Sequence, residues 1–319
     1  VGFDAVRIPV TWLNHVGASP SYTVDSAWMD RVEEVVNYAL NAGLYVIINV
    51  HHDGANSNSS KSSTTWLSLI DSSGSVTSAN TSAAQAELVA LWAQIAERFK
   101  NYDQRLIFES MNEIHVGYDA PISAYYTVIN QWNQAFVDTI RAGGGSNPDR
   151  CLVVPGYNTN IDYTVAGFTA PTDSAANRLI VSCHYYDPWK FAGAGTTHYW
   201  GSAYSGSDSW GQESSVLSQF NKLKTKYISQ GIPVILGEYG AVNQTGYEDY
   251  RRYYMEYVTK AAHDRGIVPF YWDNNSSGSG SEAFGLLNRS TNSVRYQTIL
   301  DAMVRAATSS YSITDITAP

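Results

Sequence analysis

Two short strings place carboxylates where they can do chemistry. Asn112-Glu113 lies just past the apolar run Leu106-Ile107-Phe108, and Gly237-Glu238-Tyr239-Gly240 closes Pro233-Val234-Ile235-Leu236. A buried strand interior excludes a carboxylate on desolvation grounds, so two strand-end glutamates point to acid/base work. Polar groups gather in the same way at other apolar runs. Arg7 sits in Ala5-Val6-Arg7-Ile8-Pro9, His51 and His52 follow Val50, His184 and Tyr186 follow Cys183, and Trp272 closes the run that begins at Val268. One such residue alone has an ordinary explanation, a satisfied core Arg or a His bonded to backbone. Six strands doing it together read as a site.

The other acidic residues weigh less. Glu109, four residues before Glu113, reads as part of a buried structural network, while at Asp53 and Asp187 support of the neighbouring histidines competes with plain loop capping. Glu33-Glu34 and Glu248-Asp249 read as solvated helix faces. The string His51-His52-Asp53 has no third ligand at zinc-like spacing, so neither a metal nor a cofactor is expected.

The elements that must position these groups alternate along the chain. Short β-branched runs cover Ala5 to Val10, Tyr45 to Val50, Leu106 to Ser110, Cys151 to Pro155, Leu179 to Cys183, Val234 to Gly237 and Val268 to Trp272. Helical patterns cover Trp28 to Ala42, Ser82 to Lys100, Tyr125 to Ala142, Ser214 to Ser229, Tyr247 to Arg265 and Val294 to Ala307, although the connection between the fifth and sixth strands is weakly helical at best. In the first pattern Met29, Val32, Val35, Val36, Ala39 and Leu40 recur at helical spacing, and Gly43 ends it as a cap. Such βα alternation predicts an α/β fold around a parallel sheet, the (β/α)8 TIM barrel. Seven strands are visible where a closed barrel has eight, so the first βα unit is expected to be missing. The barrel is then expected either to be completed by something outside this sequence or to be left open, with an exposed edge through which self-association is possible. Ser- and Gly-rich loops over Gly54 to Thr65, Gly193 to Gly211 and Asn274 to Glu282 follow the strand ends where barrel enzymes build sites. Residues 1–307 form the expected catalytic domain, and 308–319 a Ser/Thr-rich tail or linker leaving it, with an added strand over Tyr311-Ser312-Ile313-Thr314 as the alternative.

Composition narrows the partners. The chain has 319 residues, 44% of them hydrophobic, with 29 acidic against 20 basic side chains and a net charge of −9. A phosphate-binding surface needs clustered Lys and Arg, so nucleic acid is excluded and an uncharged substrate fits better. The 23 Tyr and 9 Trp offer flat faces that suit sugars as well as a core. No run of eighteen apolar residues occurs, so no membrane helix is expected, and Val1-Gly2-Phe3-Asp4 is unlike a signal peptide. Cys151 and Cys183 would stand about 13 Å apart even on neighbouring strands. That exceeds the reach of a disulfide, about 7 Å, so two buried free thiols are expected.

Together the strings Val6-Arg7-Ile8-Pro9-Val10, Ile48-Asn49-Val50-His51-His52, Asn112-Glu113, His184-Tyr185-Tyr186, Gly237-Glu238-Tyr239-Gly240 and Tyr271-Trp272 resemble, in order and spacing, the strands of a clan-A glycoside hydrolase of family 5. The stretch Trp28 to Val36 followed by the His51-His52-Asp53 turn is similar to the bacterial branch of endoglucanases, xyloglucanases and lichenases. The resemblance implies Glu113 as general acid/base and Glu238 as nucleophile of a retaining double displacement, which needs carboxyls about 5 to 5.5 Å apart. Arg7 is then the natural partner of an ionised Glu238. It further implies that Asn112 bonds the sugar 2-hydroxyl, that His184 and Tyr186 orient the acid/base and the nucleophile, that His51 contacts the sugar, and that Trp272 is its platform. His52 joins them with less definition, as do Trp12, Asn14, Trp66, Trp189, Trp200 and Trp210, which a packing role explains as well.

The activity implied is an endo-β-1,4-glucanase acting on cellulose-like or mixed-linkage glucan outside the cell. Xyloglucanase, mannanase or xylanase action shares the mechanism. A non-catalytic polysaccharide-binding barrel would have replaced Glu113 or Glu238, and both are present. A phosphate-binding barrel enzyme would carry a Gly-rich phosphate turn after the last strands, and none is there.

Overall fold

The computed structural model describes residues 1–54 and 65–319. Of the loop expected over Gly54 to Thr65, residues 55–64 lie outside the described residues. The chain forms two compact units, Asp4–Cys183 and His184–Pro319, the latter joined by Val1–Phe3.

In the first unit the strands are β1 (Ala5–Ile8), β2 (Tyr45–Asn49), β3 (Leu106–Glu109), β4 (Leu152–Pro155) and the start of β5 (Leu179–Tyr185). They pair in parallel in chain order, with Val6 opposite Val46, Ile47 opposite Ile107, Phe108 opposite Leu152 and Val153 opposite Ile180. Each pair is joined through a helix, as parallel strands require. Helix α1 (Ser26–Asn41) starts two residues before the expected point because the Asp25 carboxylate accepts from Ala27 N, and Gly43 beyond its end has φ 84°. Helix α2 (Ser78–Arg98) likewise starts early, where Thr77 accepts from Asn80 N. Helix α3 (Ser123–Arg141) follows the expected pattern, and its Phe136 meets Trp92 of α2 at 4.8 Å between ring centroids. Trp92 also packs on Phe108 of β3 and donates its indole N–H to Ser110 O, so burial and a satisfied polar tip coincide.

Helix α4 (Ile161–Gly167), capped by Asn160, was not predicted; seven residues are too few to show a period. At the start of β4, Arg150 is fully buried. Its guanidinium donates to the carbonyls of Phe99, Tyr102, Asp103 and Leu106 and to Asn147 Oδ1, and lies 4.7 Å from the centre of the Phe108 ring. Burial holds it down to about 10. Both cysteines are free, as expected, but only Cys183 is buried, its thiol pushed up to about 12; Cys151 is half-buried.

The second unit holds the end of β5, α5 (Trp189–Ala192), α6 (Glu213–Lys226), β6 (Val234–Tyr239), α7 (Glu248–His263), β7 (Ile267–Tyr271), the short hairpin β8 (Leu287–Asn288) and β9 (Ser293–Val294), and α8 (Gln297–Thr308). The connection read as weakly helical therefore carries the 14-residue α6, held by buried Val216, Phe220 and Leu223 at helical spacing. In α8, Ile299, Leu300, Met303 and Ala306 are buried by the same logic.

Residues 308–319, read from composition as a tail or linker, pack within the second unit. They run back over the unit: Tyr311 Oη donates to the buried Glu256 at 2.9 Å and its ring lies under Lys260, Arg252 reaches Thr317 O at 2.7 Å, and Ile316 is buried. Apolar anchors and a buried acceptor fix a stretch whose composition looked solvated.

Candidate active site

Within Asp4–Cys183 the polar residues of β1, β2 and β3 form one hydrogen-bonded group. Arg7 donates through Nε to Glu109 Oε2 at 2.6 Å and through Nη2 to Asn112 Oδ1 at 2.8 Å. Asn49 completes it. Its Oδ1 accepts from Val10 N, which fixes the amide orientation, so its Nδ2 faces both Glu109 Oε2 and His51 Nδ1 at 3.1 Å. With a donor facing Nδ1, neutral His51 carries its proton on Nε2. His51 is buried and His52 exposed, their rings edge to face at 4.5 Å. Glu109 thus has the structural role expected of it, a buried partner for Arg7 and Asn49.

Glu113 lies four residues past β3 and is half-buried. Desolvation raises its carboxyl above the ordinary glutamate range, against the smaller opposing pulls of His115, Arg7, His52 and a hydrogen bond from Thr159. Thr159 reaches it from the turn after β4, where Asn158 and Thr159 both have positive φ and Asn158 N donates to Ile114 O. His115 donates its Nδ1–H to the Glu113 carbonyl oxygen, 2.7 Å away. Sequence reasoning passed over Asn49, Thr159 and His115. Asn49 stood inside a quoted string as a polar residue in a strand, which was signal enough; Thr159 carried none.

Within His184–Pro319, Glu238 is the fifth residue of β6 and is buried. Leu236 pairs with Pro269 but Tyr239 with Tyr271, so β6 has one residue more than β7 between these points, and the bulge falls on Gly237-Glu238. Bulges re-aim side chains near sites. Tyr186 Oη donates to Glu238 Oε2 at 3.0 Å, and His184 Nδ1 stands 3.7 Å from the same oxygen. Trp272 immediately follows β7, is half-buried, and donates its backbone N–H to Tyr239 O at 2.9 Å.

The remaining aromatics divide. Trp12 and Trp200 are fully buried, with indole N–H groups on Asn49 O and Gly211 O, and so belong to packing. Asp53 receives Trp12 N and the Trp66 indole, the loop-capping role, and burial raises its carboxyl. Asn14 is an exposed turn residue with φ 68°. Trp189 and Trp210 are 49% and 53% exposed.

In each unit a glutamate and a histidine thus lie at or just beyond the end of a parallel strand. The family description Cellulase (glycosyl hydrolase family 5) matches residues 1–278, and the chain belongs to that family. Endoglucanase A of Paenibacillus barcinonensis is 42% identical over 95% of this chain and 78% of its own length; of two other curated relatives the match spans 35% and 54%. Among solved structures, a Bacteroidetes-affiliated family 5 cellulase linked with a polysaccharide utilization locus is 38% identical with a TM-score of 0.93, covering 99% of this chain and 84% of its own. A family 5 xyloglucanase from Paenibacillus pabuli is 44% identical with a TM-score of 0.86, covering 96% and 87%. The fold is accordingly the (β/α)8 barrel, with the seven predicted strands all present.

Proposed function

We propose that this glycoside hydrolase is an endo-β-1,4-glucanase that cleaves internal bonds of cellulose-like or mixed-linkage glucan with retention. The observation that carries the reading is the opposite treatment of two glutamates. Burial favours the protonated form of Glu113, while a phenol donating to Glu238 favours the ionised form of the nucleophile. Glu238 attacks the anomeric carbon as Glu113 protonates the leaving oxygen. Glu113, now a carboxylate, then takes a proton from water, which attacks the glycosyl-Glu238 ester and frees it.

Arg7 and Asn112 are joined by a hydrogen bond, which holds the Asn112 amide for the sugar 2-hydroxyl. His51, His52 and Trp272 line the glycone, His184 and Tyr186 orient the two acids, and the exposed Trp189 and Trp210 are platforms for further sugars. The names of the relatives, endoglucanase and xyloglucanase, support a β-1,4-glucan backbone, and a polymeric substrate supports action outside the cell.

Reducing-end release from barley β-glucan tests this. Glu113→Gln and Glu238→Gln are each expected to abolish it without unfolding the protein; turnover in either variant sinks the mechanism. Azide is expected to give an inverted glycosyl azide from Glu238→Ala and a retained one from Glu113→Ala, and the reverse pattern would exchange the two roles. Carboxymethylcellulose, xyloglucan, xylan and mannan beside barley glucan rank the substrates.

A further inference from the structure

Arg251, in the first turn of α7, is a buried cation with an unusual set of partners. It is 1% exposed. Nε donates to Ala241 O at 2.8 Å, and Nη2 donates to Tyr271 Oη at 2.7 Å and to Phe284 O at 3.2 Å. The guanidinium lies 4.9 Å from the centre of the Tyr296 ring, and Nη1 is buried with no hydrogen-bond partner among the described residues. Every acceptor is a neutral oxygen. A buried charge without a counter-ion costs several kcal/mol, and such a breach of local rules is expected where function requires it. The next residue shows the contrast. Arg252 is ion-paired to Glu256 at 3.0 Å and bonded to Thr317 O, a plain fastening of the C-terminal stretch.

The three oxygens that Arg251 gathers each lead to the Glu238 half of the site. Ala241 stands three residues beyond Glu238. Tyr271 directly precedes Trp272, and its hydroxyl also donates to Phe284 O. The Phe284 ring packs against Tyr186, centroids 5.6 Å apart, and Tyr186 is the donor to Glu238. Gly240 leaves room for this: an added Cβ would meet Phe284 at 3.3 Å and Tyr271 at 3.4 Å.

We infer that Arg251 is a positioning residue for the displacement, its rigid fork holding the segments that carry Glu238, Trp272 and Phe284 in one register. Five N–H groups in a plane can span Ala241 O and Tyr271 Oη together, which an ammonium cannot. Arg251→Lys therefore retains the charge and loses the register.

The proposal rests on Glu238 being the nucleophile, and steady-state kinetics on an aryl β-cellobioside tests it. Arg251→Met and Arg251→Lys are each expected to lower kcat by about 10²-fold, the scale of a displacement of about 1 Å at the reacting atoms, with KM changed by less than about threefold. Tyr271→Phe, which keeps the guanidinium and deletes one of its oxygens, is expected to lower kcat about tenfold. Combined with Tyr186→Phe, the loss from Tyr271→Phe is expected to fall short of the product of the two single losses, because both act through the Glu238 carboxylate. Arg252→Met is expected to lower the thermal midpoint with kcat unchanged. Full kcat in Arg251→Lys or in Tyr271→Phe, or strictly multiplicative losses with Tyr186→Phe, overturns the proposal. If Arg251→Met does not fold, Tyr271→Phe and its double variant decide. Turnover in Glu238→Gln would instead remove the reading beneath it, whereas an inactive Glu238→Gln beside a fully active Tyr271→Phe overturns the role of Arg251 alone.

Discussion

The raised carboxyl of Glu113 links catalysis to stability at a single residue. An unfolded chain titrates glutamate near pH 4.3, whereas burial keeps the folded carboxyl protonated to higher pH. Between those values the folded state binds more protons than the unfolded one, so stability falls as pH rises through the window, and the contribution is intact below it. Glu113→Gln cannot ionise. It is expected to have a higher thermal midpoint than the parent at pH 7 and an equal one near pH 4, as differential scanning calorimetry at the two pH values would show. An equal midpoint at both would mean that Glu113 pays no desolvation cost.

Among the elements, the loops after β6 and β7 are joined chiefly at Asn243, with Thr245 N donating to Ser279 Oγ beside it. Asn243 N donates to Ala283 O, Gly280 N donates to Asn243 O, and Asn243 Nδ2 reaches Gly278 O at 2.6 Å. Asn243→Ala deletes the last of these, worth about 1 kcal/mol, and amides over 276–283 are expected to exchange with deuterium about fivefold faster, with β6 itself unchanged. Such contacts were not legible in the chain. The strand ends were, because short apolar runs give way to polar or aromatic residues ahead of Glu113 and at His184 and Trp272, and the family strings could be aligned on them. The bulge at Gly237-Glu238 was not, since a register shift exists only relative to β7 and leaves no mark in its own string. The bonds of Arg7 to Glu109 and Asn112 join residues about a hundred positions apart, a pairing that the parallel stacking of β1, β2 and β3 decides. The pattern Ser214 to Ser229 was legible as α6 because Val216, Phe220 and Leu223 recur at helical spacing within a Ser- and Lys-rich stretch.

At the scale of the whole molecule, the stretch 308–319 fastens onto α7 through Tyr311 and Thr317. Removing residues 309–319 strips Tyr311 from Glu256 and exposes the surface that Ile316 covers, so the truncated protein is expected to lose about 2–4 kcal/mol in urea unfolding. Its kcat on barley glucan is expected to equal that of the full chain, and a fall in kcat at unchanged stability would contradict this. Arg150 bears on a different matter. It gathers carbonyls at the foot of β3, while Asn112 and Glu113 lie beyond the other end of the same strand. Random substitutions around Arg150 will therefore be read in a screen as missing protein, and those beyond Glu109 as intact protein with altered turnover. A library built to change polymer preference can leave the foot untouched and spend its diversity at the top.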